Sequence, residues 1–162
     1  MNIHLPYFFV VLVNCVFIGL FSSGCSTNNA NISLNNTDEY KVANQIQIHS
    51  YAFEKGDIDW FMSTFRKSKS TSLIIDNSKT ESWRNIRAFY SELMNKNPHG
   101  KIESSKLNLN KINQNSIDLT GSQIHSSESG ELLKSFLFEC SFQKFRGRWL
   151  ITKLKLSTNP DS

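Results

Sequence analysis

The sequence lacks most of the motifs on which enzyme and metal chemistry depend. It contains no glycine-rich phosphate-binding loop and no serine-elbow motif. His99 and His125 have no cysteine or carboxylate at the spacing of a metal site. We therefore expect no cofactor and no metal ion.

Lys and Arg are absent before Lys41. Residues 5–21 read LPYFFVVLVNCVFIGLF, an apolar run of about 17 residues at the short limit for crossing a bilayer. Ser22, Ser23 and Gly24 follow it directly. An apolar core followed by small residues is typical of a secretory signal peptide, because the core inserts as a helix and small side chains fit the peptidase. We interpret residues 1–24 as a signal peptide.

Cysteine is scarce, which makes the position of Cys25 informative. The chain has three cysteines, and Cys25 stands directly after the small residues. This stretch resembles the lipobox of bacterial lipoproteins, whose cysteine thiol is acylated with lipids such as palmitate and becomes the new N-terminus. The resemblance implies that Cys25 is lipidated. A plain cleaved signal peptide and an uncleaved membrane anchor stay open as alternatives.

Residues 25–36 have the composition of a linker. They are polar and rich in Asn and Ser, so they bury too little surface to fold, and we predict a lipidated, flexible tether. Several acyl chains on one cysteine anchor firmly, since each buried methylene contributes about 0.8 kcal/mol. Ser26 rather than Asp follows the cysteine, which by the same resemblance implies the outer membrane. We predict a lipid-anchored protein of the bacterial cell envelope that faces the periplasm.

Every charged side chain lies in residues 37–162, which carry the net charge of +4. The charges are scattered, and no compact basic run with interleaved aromatic residues occurs, so we expect no nucleic-acid partner. The mild positive charge favours solubility or contact with anionic lipid headgroups. With the leader removed and Cys25 lipidated, Cys140 has no disulfide partner.

The first half of this region has helical periodicity. One apolar stripe recurs at three- and four-residue steps: Val42, Ile46, His49 and Phe53. Thr37 is a suitable N-cap for this helix, Gly56 ends it, and Asp57 can cap a second, shorter helix. A third helix is predicted after a capping box formed by Ser78 and Glu81.

The second half alternates with a period of two, as strands do. Apolar residues of KSFLFECSFQKF share one face: Phe136, Phe138, Cys140 and Phe142. The segments SSESGE and FRGR are predicted turns, and Gly147 can adopt the positive φ that the second turn needs. The order of helices and strands predicts an α+β domain, with the helices on one face of a curved antiparallel sheet.

Three stretches of residues 37–162 resemble the nuclear-transport-factor-2-like superfamily, which includes SnoaL-like proteins and ketosteroid isomerases. They are FEKGDIDWFMSTF, WRNIRAFYSEL and FQKFRGRWLITKLKLS. The resemblance implies a cone: a strongly curved sheet wrapped around a long helix and open at one end. It also implies frequent homodimers, here through the sheet.

The isomerases of that superfamily suggest candidate catalytic residues. Their catalytic carboxylate matches Asp76, at the end of SLIID, where burial would raise the pKa of a general base. Their tyrosine on the first helix matches His49, seven residues before the Gly-Asp pair. Both have plain structural alternatives, a loop aspartate that caps the next helix and a hydrogen-bonded core histidine. The third group of those enzymes, a neutral aspartate, has no clear match in FECSF.

Further residues are candidates for the lining of the cone. We predict that they surround its cavity: Phe53, Trp60, Trp83, Phe138, Glu139 and Cys140. At helical spacing the two tryptophans are also typical of core packing.

Three functions fit these predictions. The first is a membrane-anchored domain that binds a small apolar ligand or a protein partner. The second is a SnoaL-like enzyme that uses Asp76 and His49 for acid–base chemistry. The third is an assembly protein that pairs through its sheet.

Overall fold

The computed structural model describes residues 37–160. The predicted signal peptide, residues 1–24, and the predicted tether, residues 25–36 with Cys25, lie outside the described residues. Among residues 37–160, no helix is both long enough and apolar enough to cross a bilayer.

Three helices and six strands make up the described part of the chain. In chain order they are α1 (Asp38–Glu54), α2 (Ile58–Met62), β1 (Ser72–Ile75), β2 (Ser78–Glu81), α3 (Trp83–Lys96), β3 (Lys101–Asn113), β4 (Ser116–Ser126), β5 (Leu132–Phe145) and β6 (Arg148–Thr158). The strands form one sheet in the order β2-β1-β6-β5-β4-β3, in which β1 and β6 are parallel and all other neighbours antiparallel. The helices pack on one face, which confirms the predicted α+β fold with a curved sheet.

Side-chain caps begin the first two helices, as predicted. The Thr37 hydroxyl accepts the backbone N–H of Tyr40 at 3.2 Å, and an Asp57 carboxylate oxygen accepts that of Trp60 at 2.8 Å. Between them, Gly56 has a φ of 66°. This left-handed conformation ends α1 at little steric cost because glycine has no Cβ.

The start of α3 differs from the prediction, which was wrong about the capping box. Ser78–Glu81 is not a cap but β2, which forms a hairpin with β1 and pairs Ser78 with Ile75. The N-cap of α3 is Ser82, whose hydroxyl accepts the backbone N–H of Asn85 at 3.3 Å. The pattern of a capping box is local, and here pairing with a neighbouring strand overrides it.

The core lies between the helices and the inner face of β5. All four predicted inner residues of β5 are buried: Phe136, Phe138, Cys140 and Phe142. Leu137, on the outer face, is 49% exposed. Gly121 of β4 lies opposite Phe138, and a Cβ there would come within 2.8 Å of the Phe138 ring. The same Cβ would come within 2.8 Å of Ser105 O in β3, so a side chain at position 121 would require the ring or the neighbouring strand to shift.

The sheet is bent where its ladders lose register. Register shifts fall between Ser105 and Asn108 in β3 and between Ser141 and Phe142 in β5. Such irregularities increase strand twist and bend the sheet. The bend wraps the strands around α1 and α3 and produces the cone.

One carboxylate fastens the beginning of α1 to the far end of the sheet. Asp38 Oδ1 accepts hydrogen bonds from Lys144 Nζ and Trp149 Nε1, each at 2.9 Å. Lys144 and Trp149 are paired in the β5–β6 ladder, so α1 is attached to both strands. The hydrogen bond from Lys144, followed by that from Trp149, lowers the pKa of Asp38.

We predict that Asp38→Asn lowers the free energy of unfolding at neutral pH by about 1–2 kcal/mol, because the carboxylate and its charge-assisted bonds are lost. The effect is fully present above the unfolded pKa, which is near 3.8, and disappears as pH falls through the lowered folded pKa. Urea unfolding at several pH values measures it.

Asp59→Asn is the matched control. Asp59 pairs with Arg87 at 2.8 Å, but its side chain is 82% exposed. An exposed pair contributes less than about 1 kcal/mol. Equal losses in the two variants would contradict the role of Asp38.

Candidate functional site

A cavity of about 530 Å³ occupies one end of the cone. α1, α3 and all strands except β3 contribute to it. Its wall is largely apolar: Phe53, Ile75, Phe89, Leu93, Phe136 and Leu156. The volume lies within the range of small-molecule pockets, about 300–1,000 Å³. The cavity can therefore hold a compact apolar molecule.

Polar side chains also line this cavity. They come from β2, the C-cap of α3, β4 and β5: Ser78, Thr80, Asn97, Ser126 and Lys134. The Lys134 ammonium lies 3.5 Å from Asp76 Oδ2 and 5.1 Å from the centroid of the Phe136 ring. With its side chain 45% exposed, Lys134 places a cation where the cavity meets solvent. A ligand with an acceptor or anionic group could pair with it there.

His125 is the histidine of the cavity wall. Its Nε2 lies 3.1 Å from Gln123 Oε1, and its ring centroid lies 5.0 Å from that of Phe136. Because a carbonyl oxygen accepts only, Nε2 carries the proton in this pair and Nδ1 is left as an acceptor. Burial, followed by the positive charge of Lys134, lowers the pKa of His125 to about 4. The ring is therefore neutral at pH 7.

Tyr90 is a further titratable residue of the wall, besides Lys134 and His125. It is 1% exposed, and its ring centroid lies 4.5 Å from that of Phe61 in the core. Burial raises the pKa of its hydroxyl well above the ordinary value. The phenol stays protonated, and at neutral pH it offers a hydrogen-bond donor rather than a base.

Neither residue of the predicted catalytic pair, Asp76 and His49, lines this cavity. Asp76 lies in the turn after β1 with a φ of 53°. Its carboxylate accepts the backbone N–H of Thr158 at 2.7 Å and the Thr158 hydroxyl at 3.0 Å. These bonds lower the pKa of Asp76, so the expected raised pKa is wrong. The carboxylate fastens the β1–β2 turn to the end of β6.

His49 lies in the core between the helices. It is 2% exposed, and its ring centroid lies 3.9 Å from that of Phe61. The Thr64 hydroxyl donates to Phe61 O at 2.7 Å, so His49 Nδ1 is the donor in its 3.3 Å contact with Thr64 Oγ1. Burial, followed by repulsion from His125, lowers the pKa of His49 to about 3. This is the environment of the structural alternative, a hydrogen-bonded core histidine.

Of the six predicted lining residues, Phe53 lies in the cavity wall. The two tryptophans lie elsewhere: Trp60 is 40% exposed and packs on Tyr51, and Trp83 Nε1 donates to Met62 O at 3.2 Å.

The three predicted residues of β5 also lie outside that wall. Phe138 and Cys140 are buried in the core. Glu139 is on the outer face, where it pairs with Lys155 at 2.8 Å. Their positions follow from alternation along the strand and from the location of the cavity near the beginning of β5 rather than its middle.

Most residues of the cavity wall were not predicted from the sequence. Leu133 and Lys134, the second and third residues after the predicted SSESGE turn, were not among the predicted lining residues. Nor were Tyr90 and Leu93, although their helical spacing predicts one buried face. Turn position and helix face were the available signals, but neither shows where the core ends and the cavity begins.

No cluster of three or more potential metal ligands occurs among the residues that the structure describes.

Comparison with known proteins identifies the fold. No protein-family model matches the chain, and no curated protein sequence matches it. The chain is similar to the solved structure of an NTF-2 like protein of unknown function from Shewanella oneidensis MR-1, with 16% identity over 75% of this chain and 99% of that one and a TM-score of 0.68.

Two further solved structures agree. A nuclear transport factor 2 (NTF2-like) superfamily protein from Salmonella enterica is 17% identical over 73% of this chain and 88% of that one, with a TM-score of 0.64. A proposed dehydratase of the NTF2-like family from Streptomyces avermitilis is 12% identical over 74% and 94%, with a TM-score of 0.65. The domain therefore has the NTF2-like fold, and at these identities the likeness concerns the fold alone.

The buried histidine makes a testable contribution to acid sensitivity. His49 takes up its proton near pH 6.5 when unfolded but only near pH 3 when folded. The contribution of His49 to the unfolding free energy therefore falls as pH drops from 6.5 toward 3, by about 1.4 kcal/mol per pH unit. We predict that His49→Gln flattens the pH dependence of the unfolding free energy between pH 6 and 4 by about this slope, as urea titrations would show.

Thr64→Val is the control, because it removes the partner of His49 without removing a titratable group. Thr64→Val should lower the free energy of unfolding at every pH, but the change of that free energy with pH should equal that of the wild type. If His49→Gln kept that slope as well, the buried neutral histidine would not be its source.

Proposed function

We propose that this chain is a lipid-anchored protein of the bacterial envelope whose cone binds a small, largely apolar molecule with a polar group. The observation that carries the binding function is the apolar cavity of about 530 Å³ at one end of the cone. The leader and Cys25 support the anchor, and Ser26 supports an outer-membrane location facing the periplasm.

The wall chemistry favours binding over catalysis. The apolar side chains would exclude water from a ligand, and Lys134 can pair with an acceptor at the solvent-facing part of the wall. The titratable groups inside, His125 and Tyr90, are both held neutral at pH 7. A base with a pKa near 4 is poorly matched to proton transfer at neutral pH. These residues therefore serve as fixed hydrogen-bonding groups.

The enzyme alternative has less support. The fold is shared with a proposed dehydratase, but Asp76 and His49, the pair proposed for acid–base chemistry, occupy separate environments. A homodimer through the sheet stays a prediction, and native mass spectrometry can test it.

Two leucines of β5 provide a matched test of ligand binding. Leu133 lines the cavity and is 47% exposed, whereas Leu137 lies on the outer face and is 49% exposed. We predict that Leu133→Asp weakens binding of the apolar dye Nile red about fivefold or more, because it replaces apolar contact with a charge. Fluorescence titration of a soluble fragment of residues 32–162 measures the affinity.

Leu137→Asp introduces the same charge at almost the same exposure and should leave dye binding unchanged. Equal losses in the two variants, or no loss in either, would contradict binding in this cavity.

The anchor is tested separately at Cys25. We predict that Cys25→Ser abolishes incorporation of radiolabelled palmitate and moves the protein from the membrane to the soluble fraction, because serine has no thiol to acylate. Cys140→Ser is the control, since this buried cysteine lies in the folded domain. Unchanged labelling and membrane retention of Cys25→Ser would refute the lipid anchor.

A further inference from the structure

We propose that the tip of the β5–β6 hairpin docks on an anionic lipid surface. The docking surface, called the tip patch here, consists of Arg66, Phe145, Arg146 and Arg148. This inference rests on the proposed membrane anchor, and it adds a second contact that orients the domain on its membrane.

The tip patch combines an exposed aromatic ring with cations. Phe145 is 45% exposed, and the guanidinium carbons of Arg66 and Arg146 lie 5.3 Å and 5.5 Å from its ring centroid. Arg146 and Gly147 both have positive φ, at 49° and 79°, which is the geometry of a tight hairpin turn. Arg148 follows this turn and is exposed. A ring flanked by arginines suits the boundary between headgroups and acyl chains, where amphipathic groups gather.

The charges of the tip patch are available to an external anion. Within residues 37–160, none of its three arginines forms an ion pair with a carboxylate. The two acids that begin α1 are already paired, Asp38 with Lys144 at 2.9 Å and Glu39 with Lys111 at 3.5 Å. Arg66 donates to Gln143 Oε1 at 3.0 Å and Arg148 to Ser63 O at 3.4 Å, both neutral acceptors. The cluster therefore keeps its positive charge, which complements phosphate headgroups.

The described part of the chain begins at the same end of the domain as the tip patch. Asp38, next to the helix cap Thr37, contacts Lys144 and Trp149, the ladder pair adjoining Phe145 and Arg148. Cys25 precedes Thr37 by 12 residues, a stretch that can span at most about 43 Å. A lipid on Cys25 therefore holds the beginning of α1 within about 43 Å of the bilayer. Within that reach, the three arginines favour the orientation in which the tip patch faces an anionic surface.

The cavity lies at the other end of the same strand. Leu133 and Lys134 line it near the beginning of β5, and Phe145 ends that strand. Twelve strand residues span roughly 35–40 Å. When the tip patch rests on lipid, the cavity end of β5 lies away from the bilayer. A ligand would then enter from the aqueous side.

The test uses the full-length gene product purified from membranes and reconstituted into two kinds of vesicle, phosphatidylcholine alone and phosphatidylcholine mixed with phosphatidylglycerol. Phenylglyoxal modification followed by mass spectrometry gives the reaction rates of Arg146 and Arg148. We expect both rates to fall about fivefold or more on the anionic vesicles and to recover at high salt. Acylation of Lys55 and Lys101, measured in parallel, should not change. Unchanged arginine rates, or equal protection of Lys101, would overturn the proposal.

Matched charge reversals sharpen the test. Arg148→Glu should abolish most of the protection of Arg146, whereas Lys101→Glu, with the same change in charge, should leave it intact. Equal effects of the two variants would overturn docking through the tip patch. Flotation with phosphatidylcholine vesicles separately reports the anchor. A chain that fails to float with these vesicles but shows protected arginines on anionic ones would refute the anchor and retain the docking surface.

Discussion

The alternation of side chains along β5 is the constraint on which the rest of the structure depends. Phe136, Phe138, Cys140 and Phe142 are buried on one face, and because the period is two, a slip of one residue would expose all of them. That cost fixes the register with β4 and β6. The same register brings Lys144 opposite Trp149, and both donate to Asp38 at the start of α1. The packing of the core and the attachment of the first helix thus both depend on the register of β5.

Sequence patterns correctly predicted those helix ends and turns that depend on residues close together in the chain. Thr37 and Asp57 cap helices, and Gly147 turns a hairpin, because each acts on neighbours within a few residues. The prediction failed at Ser78, where the pattern of a capping box competes with pairing to β1, and the strand pairing prevails. Asp76 shows that a local pattern can also mislead about a candidate functional residue. Its position matched a catalytic carboxylate, but its partner Thr158 lies 82 residues away, and no local pattern indicates that contact.

The candidate site was harder to predict than the fold for a physical reason. A cavity exists where opposing elements diverge too far to pack, and this depends on the bend of the sheet rather than on the polarity of any one segment. Phe53 and Phe138 both belong to apolar stripes, but the first lines the cavity and the second fills the core. Hydrophobic periodicity predicts the inward side of each element. It does not predict where along the element the packed core ends and the cavity begins.

Desolvation has the same effect on titratable side chains in the core and in the cavity wall. Burial keeps His49, His125 and Tyr90 neutral. Ionisation is therefore disfavoured both in the core and in the cavity wall. Lys134 is half-exposed and keeps its cation where the cavity meets solvent. A buried charge without a partner is strongly unfavourable. A ligand would therefore have the smallest desolvation penalty with its apolar part inside the cavity and its charged or accepting group beside Lys134. Phe145, Arg146 and Arg148 lie at the opposite end of β5 from Lys134. The lipid contact that we propose there would therefore leave this orientation unchanged.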